Sequence, residues 1–229
     1  HGPVRLRQAL ARSLNIPAVW VLQQGGVRNV INTAHRMGIT TLSGDFYALA
    51  LTLGGGEVKP LDMAYAFGVF ANMGTMAGQP VPPERQRPGY RSLDPVAILR
   101  VEDPAGNILW QYTQPETQRV LDPALAYLMA DILSDNEARA PSFGRNSPLY
   151  FEDRRVAAKT GTTNDFKDNW TIGFTPQIAL AVWVGNNDNE AMKDVTGLTG
   201  AAPIWHDVMA YYLRDKPAEW YLRPPGLVN

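Results

Sequence analysis

The stretch Lys159-Thr160-Gly161-Thr162-Thr163 combines an ammonium, a glycine and three hydroxyls directly after Val156-Ala157-Ala158, an apolar run that predicts a strand. Alternation along a strand directs Thr160 and Thr162 to one face, and two hydroxyls beside an ammonium form a receptor for a carboxylate. Gly161 has no side chain, so another group can approach the backbone closely and the N–H of Thr162 is free to face a ligand. A lone lysine at a strand end is usually only solvated. The combination therefore predicts a carboxylate-binding strand.

A second polar element, Ser13-Leu14-Asn15, lies near the start of the chain. Apolar residues recur at helical spacing from Arg5 to Gln24, and the pattern breaks where Pro17 favours the first turn of a second helix. Ser13 and Asn15 are therefore expected at a helix–turn–helix junction, where short polar side chains can point into a cleft. A second interpretation stays open at this point, because serine and asparagine are also common helix caps.

Periodicity and turn residues divide the rest of the chain into further elements. The predicted helices cover residues 27–37, 60–71, 123–133 and 203–213, the strands 155–162, 169–175 and 178–185, and a β-hairpin 98–110. A tight turn at 175–177 makes the last two strands antiparallel neighbours, and the three glycines at 54–56 lack the spacing of a phosphate loop and predict a turn. Residues 78–94, rich in proline, arginine and glycine, predict an exposed linker or excursion, and residues 136–150 predict a polar loop.

The composition is that of a soluble globular protein, because 45% of the 229 residues are hydrophobic and 19% are charged. A net charge of −1 gives no electrostatic reason to expect nucleic acid as a partner. The chain has no cysteine, and its three histidines, His1, His35 and His206, are too far apart in sequence for a short metal-binding motif. We therefore expect neither a metal nor another cofactor.

Three stretches together resemble a known family: Leu10 to Val19, Leu53 to Gly74, and Lys159 to Trp170. They are similar, in this order, to the C-terminal part of the transpeptidase domain of class A, bifunctional penicillin-binding proteins of the 1A/1C type, and the similarity runs from about His1 to Leu213. The resemblance implies a β-lactamase/transpeptidase-like fold, a mixed α/β (α+β) domain with a mainly antiparallel sheet and helices on both faces.

The resemblance also implies a reaction, the transfer of an acyl group between peptidoglycan stem peptides through a serine acyl-enzyme. It places Ser13 in the proton relay to the leaving group and has Asn15 orient the substrate amide. Lys159 would contact both Ser13 and the substrate carboxylate. The implied ligands are stem peptides that end in D-Ala-D-Ala and β-lactams.

The strand stretch supplies the remaining implied roles. Thr160 and Thr162 would bind the substrate carboxylate, within the substrate-binding run that also holds Gly161 and Thr163. The N–H of Thr162 would be one of two oxyanion-hole donors, and the other would belong to the nucleophilic serine.

The chain departs from the family pattern in one respect, because it contains no Ser-x-x-Lys, the motif that holds the acylated serine. We therefore expect an upstream part of a parent protein, before His1, to carry the nucleophile and a membrane anchor. Residues 1–213 would form a partial transpeptidase domain with a hairpin excursion at about 78–115, and residues 214–229 a proline-rich linker. Without the upstream part, the chain would be inactive and would expose an apolar patch, self-associate or stay bound to that part.

The implied parent is a membrane-anchored protein at the extracytoplasmic, periplasmic side of the bacterial membrane, with a family 51 glycosyltransferase domain. Two alternatives remain. A D,D-carboxypeptidase or a β-lactamase would keep the same motifs, and a non-catalytic sensor that binds muropeptides or β-lactams would lack the nucleophile altogether. A Ser-x-x-Lys in the sequence upstream of His1 would favour an enzyme, and its absence would favour the sensor.

Overall fold

The computed structural model describes residues 2–228, except for the side chain of Asn164. Within this range the helices are α1 (Leu6–Ala11), α2 (Asn15–Gly25), α3 (Val27–Met37), α4 (Pro60–Ala71), α5 (Pro123–Leu133), α6 (Asn136–Phe143) and α7 (Ala201–Leu213). The strands are β1 (Thr75–Pro80), β2 (Leu93–Asp94), β3 (Arg100–Glu102), β4 (Ile108–Gln111), β5 (Glu116–Arg119), β6 (Ala157–Thr162), β7 (Asp168–Thr175) and β8 (Ile178–Gly185). Single 3₁₀ turns lie at Leu49–Leu53, Pro83–Arg85 and Asn164–Phe166.

The central sheet consists of the last three strands in the order β6-β7-β8, and both pairings are antiparallel. The register sets Thr175 opposite Ile178, so the predicted tight turn joins β7 to β8. Because β7 pairs on both sides, β6 keeps one open edge within the described part of the chain. The three predicted strands and their antiparallel arrangement are confirmed.

Both faces of the central sheet are covered, because neighbouring residues of β6 enter different apolar clusters. Ala157 packs with Phe174 and with residues of α4 and α5, whereas Ala158 packs with Trp205 and Met209 of α7. Successive side chains of a strand point to opposite faces, so two adjacent buried alanines mean two buried faces. Helices therefore lie on both sides of the sheet, as the resemblance implies.

The layer formed by α7 lies directly on the sheet at Gly173. Trp205 is fully buried there, and its Nε1 donates a hydrogen bond to the carbonyl of Leu180 at 3.2 Å. A β-carbon at Gly173 would overlap both the ring of Trp205 and the carbonyl oxygen of Ala157. The absence of a side chain at this position therefore sets how closely helix and sheet approach.

Two parts of the chain differ from the sequence-based prediction. Residues 78–94 are exposed in their middle, at 83–89, but their two ends are not, because β1 pairs with β2 and β5 in a small sheet that buries Leu93 against α4. Residues 136–150 are not entirely loop, because α6 forms at their start. Its first turn is capped by Asp135, whose carboxylate accepts a hydrogen bond from the N–H of Ala138 at 2.9 Å.

The hairpin predicted over 98–110 is confirmed as β3 and β4, and its turn is held by hydrogen bonds to the carboxylate of Asp103. Near the other end of the chain, Trp220 and Tyr221 pack against the cluster that contains Phe174. The division into a domain over 1–213 and a linker over 214–229 stays a prediction, and His1 and Asn229 lie outside the described residues. No helix among residues 2–228 is both long enough and apolar enough to cross a membrane.

Alanine substitution at two glycines is expected to change stability in opposite directions. Gly173→Ala presses a methyl group against the ring of Trp205 and should lower the free energy of unfolding by about 1–3 kcal/mol, the usual cost of overpacking. Gly68 lies inside α4 with open space where its β-carbon would stand. Gly68→Ala should therefore raise this free energy by about 0.5–1 kcal/mol through helix propensity. Urea denaturation measures both, and a Gly173→Ala protein as stable as the wild type would contradict the packing described above.

Candidate active site

Ser13 lies in the short turn between α1 and α2. The N–H of Ser13 bonds to the carbonyl of Leu10 and the N–H of Leu14 to that of Ala9, which ends α1. Ser13 has a left-handed backbone with φ of 58°, a conformation that few residues other than glycine adopt. The N-cap of α2 is Leu14, and neither Ser13 nor Asn15 caps the helix with its side chain. The capping interpretation is therefore wrong, because the Ser13 hydroxyl does not bond to the start of α2.

The hydroxyl of Ser13 meets the ammonium of Lys159, although the two residues are far apart in sequence. Lys159 Nζ donates to Ser13 Oγ at 2.6 Å and to the carbonyl oxygen of Thr160 at 2.7 Å. The first contact joins the α1–α2 turn to β6. The second places the ammonium at the open edge of the strand, because the carbonyl of Thr160 points outward there.

The same edge presents the N–H of Thr162. Backbone groups of alternate residues in a strand point to the same side, so Thr162 faces the open edge as Thr160 does. The intervening Gly161 pairs with Trp170 of β7. An ammonium and a backbone donor thus stand along one edge.

Burial lowers the pKa of Lys159 to about 8. Both oxygens that the ammonium contacts are uncharged, and no carboxylate among residues 2–228 forms an ion pair with it. An ammonium has three N–H donors, and two are used here. Lys159 therefore carries an uncompensated charge and a spare donor at neutral pH.

The hydroxyl-bearing face of β6 is covered by Gly197, a residue that the sequence analysis did not single out. The N–H of Gly197 donates to Thr162 Oγ1 at 2.9 Å, and its carbonyl accepts from Thr171 Oγ1 at 2.9 Å. A β-carbon at Gly197 would stand 2.6 Å from the carbonyl oxygen of Gly161. The sequence predicted that another group would approach Gly161 closely, and on this face that group is Gly197 of the same chain.

Thr160 and Thr162 share one face, as predicted, but only Thr162 has a hydrogen-bonded hydroxyl among the described residues. Thr163 closes the turn between β6 and β7, where its hydroxyl accepts from the N–H of Asp168 at 2.9 Å. A β-carbon at Gly54 would stand 3.1 Å from the methyl group of Thr163, so the glycine turn abuts this end of the strand. A substrate contact for Thr163 stays a prediction.

Asn15 begins α2, two residues after Ser13, and its side chain is exposed. This side chain makes no hydrogen bond within residues 2–228. The structure thus joins Ser13 directly to Lys159, and Lys159 to the backbone of Thr160. Thr162 lies on the same strand, and the Asn15 side chain has no partner among the described residues. The contacts made by Gly54 and Gly197 left no local sequence pattern, because these residues act through close packing and, at Gly197, through backbone hydrogen bonds.

The part of the chain that the structure describes contains no cluster of acidic, histidine or cysteine side chains suited to a metal ion. His35 bonds to the carbonyl of Leu42 and His206 to that of Pro148, each at 2.8 Å. Both rings thus hold the fold together. His1, the third histidine considered above, lies outside the described residues.

Comparison with known proteins identifies the family. The chain matches the family described as penicillin binding protein transpeptidase domain over residues 1–210, and it belongs to that family. It is 36% identical over 230 residues to penicillin-binding protein 1A of Aquifex aeolicus, covering 98% of this chain and 28% of that protein. With penicillin-binding protein 1A of Pseudomonas aeruginosa it shares 31% identity over 280 residues, covering 100% of this chain and 31% of that protein. The chain thus spans less than a third of the length of these relatives.

Solved structures agree with this assignment. The crystal structure of penicillin-binding protein 1A from Haemophilus influenzae superposes with a TM-score of 0.79 and 26% identity, covering 98% of this chain and 36% of that one. The penicillin-binding protein PonA1 from Mycobacterium tuberculosis shares the fold, with a TM-score of 0.73 and 22% identity over 98% of this chain and 63% of its own. The resemblance to the class A, 1A type and the transpeptidase-like fold are confirmed.

The Lys159 ammonium is expected to titrate near pH 8 in the folded chain. Burial makes the folded state hold this proton less tightly than the unfolded state does, because the lysine of the unfolded chain has the ordinary pKa of 10.5. Between these values the unfolded state binds more protons, so Lys159 should make the free energy of unfolding rise with pH there. NMR of ¹³C-labelled lysine side chains gives the midpoint, and Lys159→Arg identifies the resonance by its loss. A midpoint near pH 10.5 would show that the ammonium is solvated.

Proposed function

We propose that this chain is the C-terminal part of the transpeptidase domain of a peptidoglycan-synthesising D,D-transpeptidase. The observation that carries the proposal is the Lys159 ammonium, held at the open edge of β6 by Ser13 and by a backbone carbonyl, without a carboxylate partner among residues 2–228. Such a charge favours an anionic ligand. The C-terminal carboxylate of a stem peptide that ends in D-Ala-D-Ala is an anion of this kind, and so is the carboxylate of a β-lactam.

An extended peptide can lie along the open edge of β6 as an additional strand. Its terminal carboxylate would bind the Lys159 ammonium, and the hydroxyls of Thr160 and Thr162 flank the same edge. The N–H of Thr162 then stands where a carbonyl oxygen develops negative charge. Asn15 would orient the substrate amide from the start of α2.

The reaction transfers an acyl group in two steps. A serine hydroxyl attacks the carbonyl carbon of the penultimate D-alanine, the C–N bond breaks, and the terminal D-alanine leaves as an amine. Ser13, held by Lys159, relays the proton of the attacking hydroxyl to that leaving nitrogen. An amine of a second stem peptide then attacks the ester carbonyl, the C–O bond breaks, and the proton of this amine returns to the serine oxygen, which completes the cross-link.

The nucleophilic serine must come from a Ser-x-x-Lys segment outside the 229 residues of this sequence, because none of its own serines has lysine three positions later. We infer a parent protein that carries this segment, a membrane anchor and a glycosyltransferase domain, and that acts at the extracytoplasmic face of the bacterial membrane. Our inference is supported by the 1A-type relatives, which are more than three times as long as this chain.

The missing Ser-x-x-Lys also keeps a second candidate open, a sensor that binds muropeptides or β-lactams without reacting. The two functions share the carboxylate site at Lys159 and differ only in covalent chemistry. A D,D-carboxypeptidase or a β-lactamase differs from both in that water accepts the acyl group. Assay of the parent protein with a stem peptide, with and without an acceptor amine, separates these reactions.

A fluorescent penicillin is expected to label the parent protein covalently and to leave this chain unlabelled. Acylation requires the serine nucleophile, and the serines of this chain lack the accompanying lysine. Intact-mass spectrometry of both proteins after incubation measures the adducts. A stoichiometric adduct on this chain would show that it contains its own nucleophile, and an unlabelled, folded parent protein would favour the sensor.

Lys159→Ala in the parent protein is expected to lower the second-order rate of acylation by about 10²–10⁴-fold, the usual worth of positioned proton transfer. Thr162→Val should lower it less, because the backbone N–H remains. Thr162→Ser is the matched control, since it keeps the oxygen that accepts from Gly197. Acylation rates are measured beside the melting temperature, and an unchanged rate in a stable Lys159→Ala protein would end the assignment.

A further inference from the structure

Thr171 is a buried threonine in β7, the middle strand of the central sheet. Its hydroxyl donates a hydrogen bond to the carbonyl oxygen of Gly197 at 2.9 Å. That carbonyl also accepts from the N–H of Ala202 at 2.9 Å, so it has a partner even without Thr171. A valine has nearly the shape of a threonine and would avoid the cost of burying a hydroxyl. Packing alone therefore does not explain the hydroxyl at this position.

The Thr171 side chain lies on the face of the sheet that carries the hydroxyls of β6. Thr171 is opposite Thr160 in the register of β6 and β7, and side chains directly opposite in an antiparallel pair share one face. Thr162 shares that face by alternation along β6. A β-carbon at Gly197 would stand 2.6 Å from the carbonyl oxygen of Trp170, so Gly197 rests on the backbone of β7 as well as on that of β6. Thr171 thus holds Gly197 in place from beneath.

The contact between Gly197 and Thr162 limits which partner the Thr162 hydroxyl can take. The N–H of Gly197 donates to Thr162 Oγ1 at 2.9 Å, so in this contact the oxygen is an acceptor. A threonine hydroxyl has one hydrogen of its own to donate, and the hydrogen of Thr162 has no acceptor among the described residues. The residue is exposed. Its hydroxyl hydrogen is therefore left for a ligand that brings an acceptor.

We propose that Thr171 is a positioning residue of the carboxylate site. By holding Gly197, it keeps the N–H of Gly197 on Thr162 Oγ1 and so leaves the Thr162 hydroxyl as a donor to the ligand. The inference rests on the proposed function, because it takes Thr162 as a ligand of the substrate carboxylate. An ionised carboxylate can only accept hydrogen bonds, so a hydroxyl held as a donor is matched to it. Thr171 is buried and acts only through Gly197.

The segment that carries Gly197 is also fixed at the start of α7, where Asn169 Oδ1 accepts from the N–H of Ala201 at 2.9 Å. Loss of the Thr171 hydroxyl should therefore loosen Gly197 locally without unfolding the segment. A displaced Gly197 no longer aims its N–H at Thr162. The Thr162 hydroxyl can then take several orientations, of which only some serve the ligand.

The test measures the second-order rate at which a fluorescent penicillin acylates the parent protein, beside the melting temperature. Thr171→Val should lower this rate about 3–10-fold, in keeping with the usual net worth of one hydrogen bond. Thr171→Ser keeps the hydroxyl and should restore the wild-type rate. Thr171→Ala removes the hydroxyl with a smaller side chain and takes the place of Thr171→Val if that variant does not fold.

A double-mutant cycle with Thr162→Val separates a positioning role from a merely structural one. Thr162→Val removes the hydroxyl that Thr171 is proposed to orient, so Thr171→Val should change the rate little further in that background. Thr175→Val is the matched control, because Thr175 is a buried threonine of the same strand whose hydroxyl accepts from the N–H of Gln177 in the β7–β8 turn. It should be acylated at the wild-type rate.

The remaining outcomes overturn the inference. Equal losses from Thr171→Val in the wild-type and Thr162→Val backgrounds would show that Thr171 acts through the fold as a whole. An equal loss in Thr175→Val, or no recovery in Thr171→Ser, would show the same. Wild-type rates in the folded valine and alanine variants at Thr171 overturn this inference and leave the proposed function standing. A folded wild-type parent protein that is not acylated at all overturns both.

Discussion

The burial of both faces of β6 is the constraint on which the rest of the structure depends. Ala157 and Ala158 are small enough for helices to cover each face, and Gly173 on the neighbouring strand lets Trp205 rest directly on the sheet. A strand that pairs on one side only leaves its outward backbone groups free along the other edge. The ammonium of Lys159 and the N–H of Thr162 are found at that edge.

The chemistry at the edge follows from the burial of the Lys159 ammonium without an opposite charge beside it. Lys159 is held by a hydroxyl and a carbonyl, and neither oxygen carries a full charge. Contact with a carboxylate would have raised the pKa, whereas burial alone lowers it to about 8. Because its charge is not compensated within the described residues, the site favours an anionic ligand.

The sequence predicts the central sheet and the principal site residues because both depend on local patterns. Lys159 to Thr163 follows an apolar strand, and Ser13 stands where helical spacing breaks. The contact between Lys159 and Ser13 was predicted only from the family resemblance, because no local pattern specifies a contact between residues that are so far apart in sequence. The carboxylate-binding role of the threonines stays a prediction.

The errors have physical causes. Pro141 made residues 136–150 resemble a loop, although the side chain of Asp135 caps a short helix there. The small sheet was missed because β2 has only two residues and pairs with β1, from which a long loop separates it. Gly197 was missed because its contribution is a backbone contact with Thr162 and Gly161. Contacts of this kind depend on the folded chain and leave no periodicity.

The open edge of β6 has a consequence for association between molecules. A free strand edge is a template on which another strand can pair, and natural proteins often protect such edges with a lysine. Here the Lys159 ammonium occupies the outward carbonyl of Thr160, one of the acceptors that an incoming strand would need. A peptide with a terminal carboxylate can draw the ammonium away, whereas an internal segment of another protein can do so only where it carries an aspartate or glutamate side chain. Lys159 therefore disfavours pairing of this edge with other strands and favours the binding of a peptide through its terminal carboxylate.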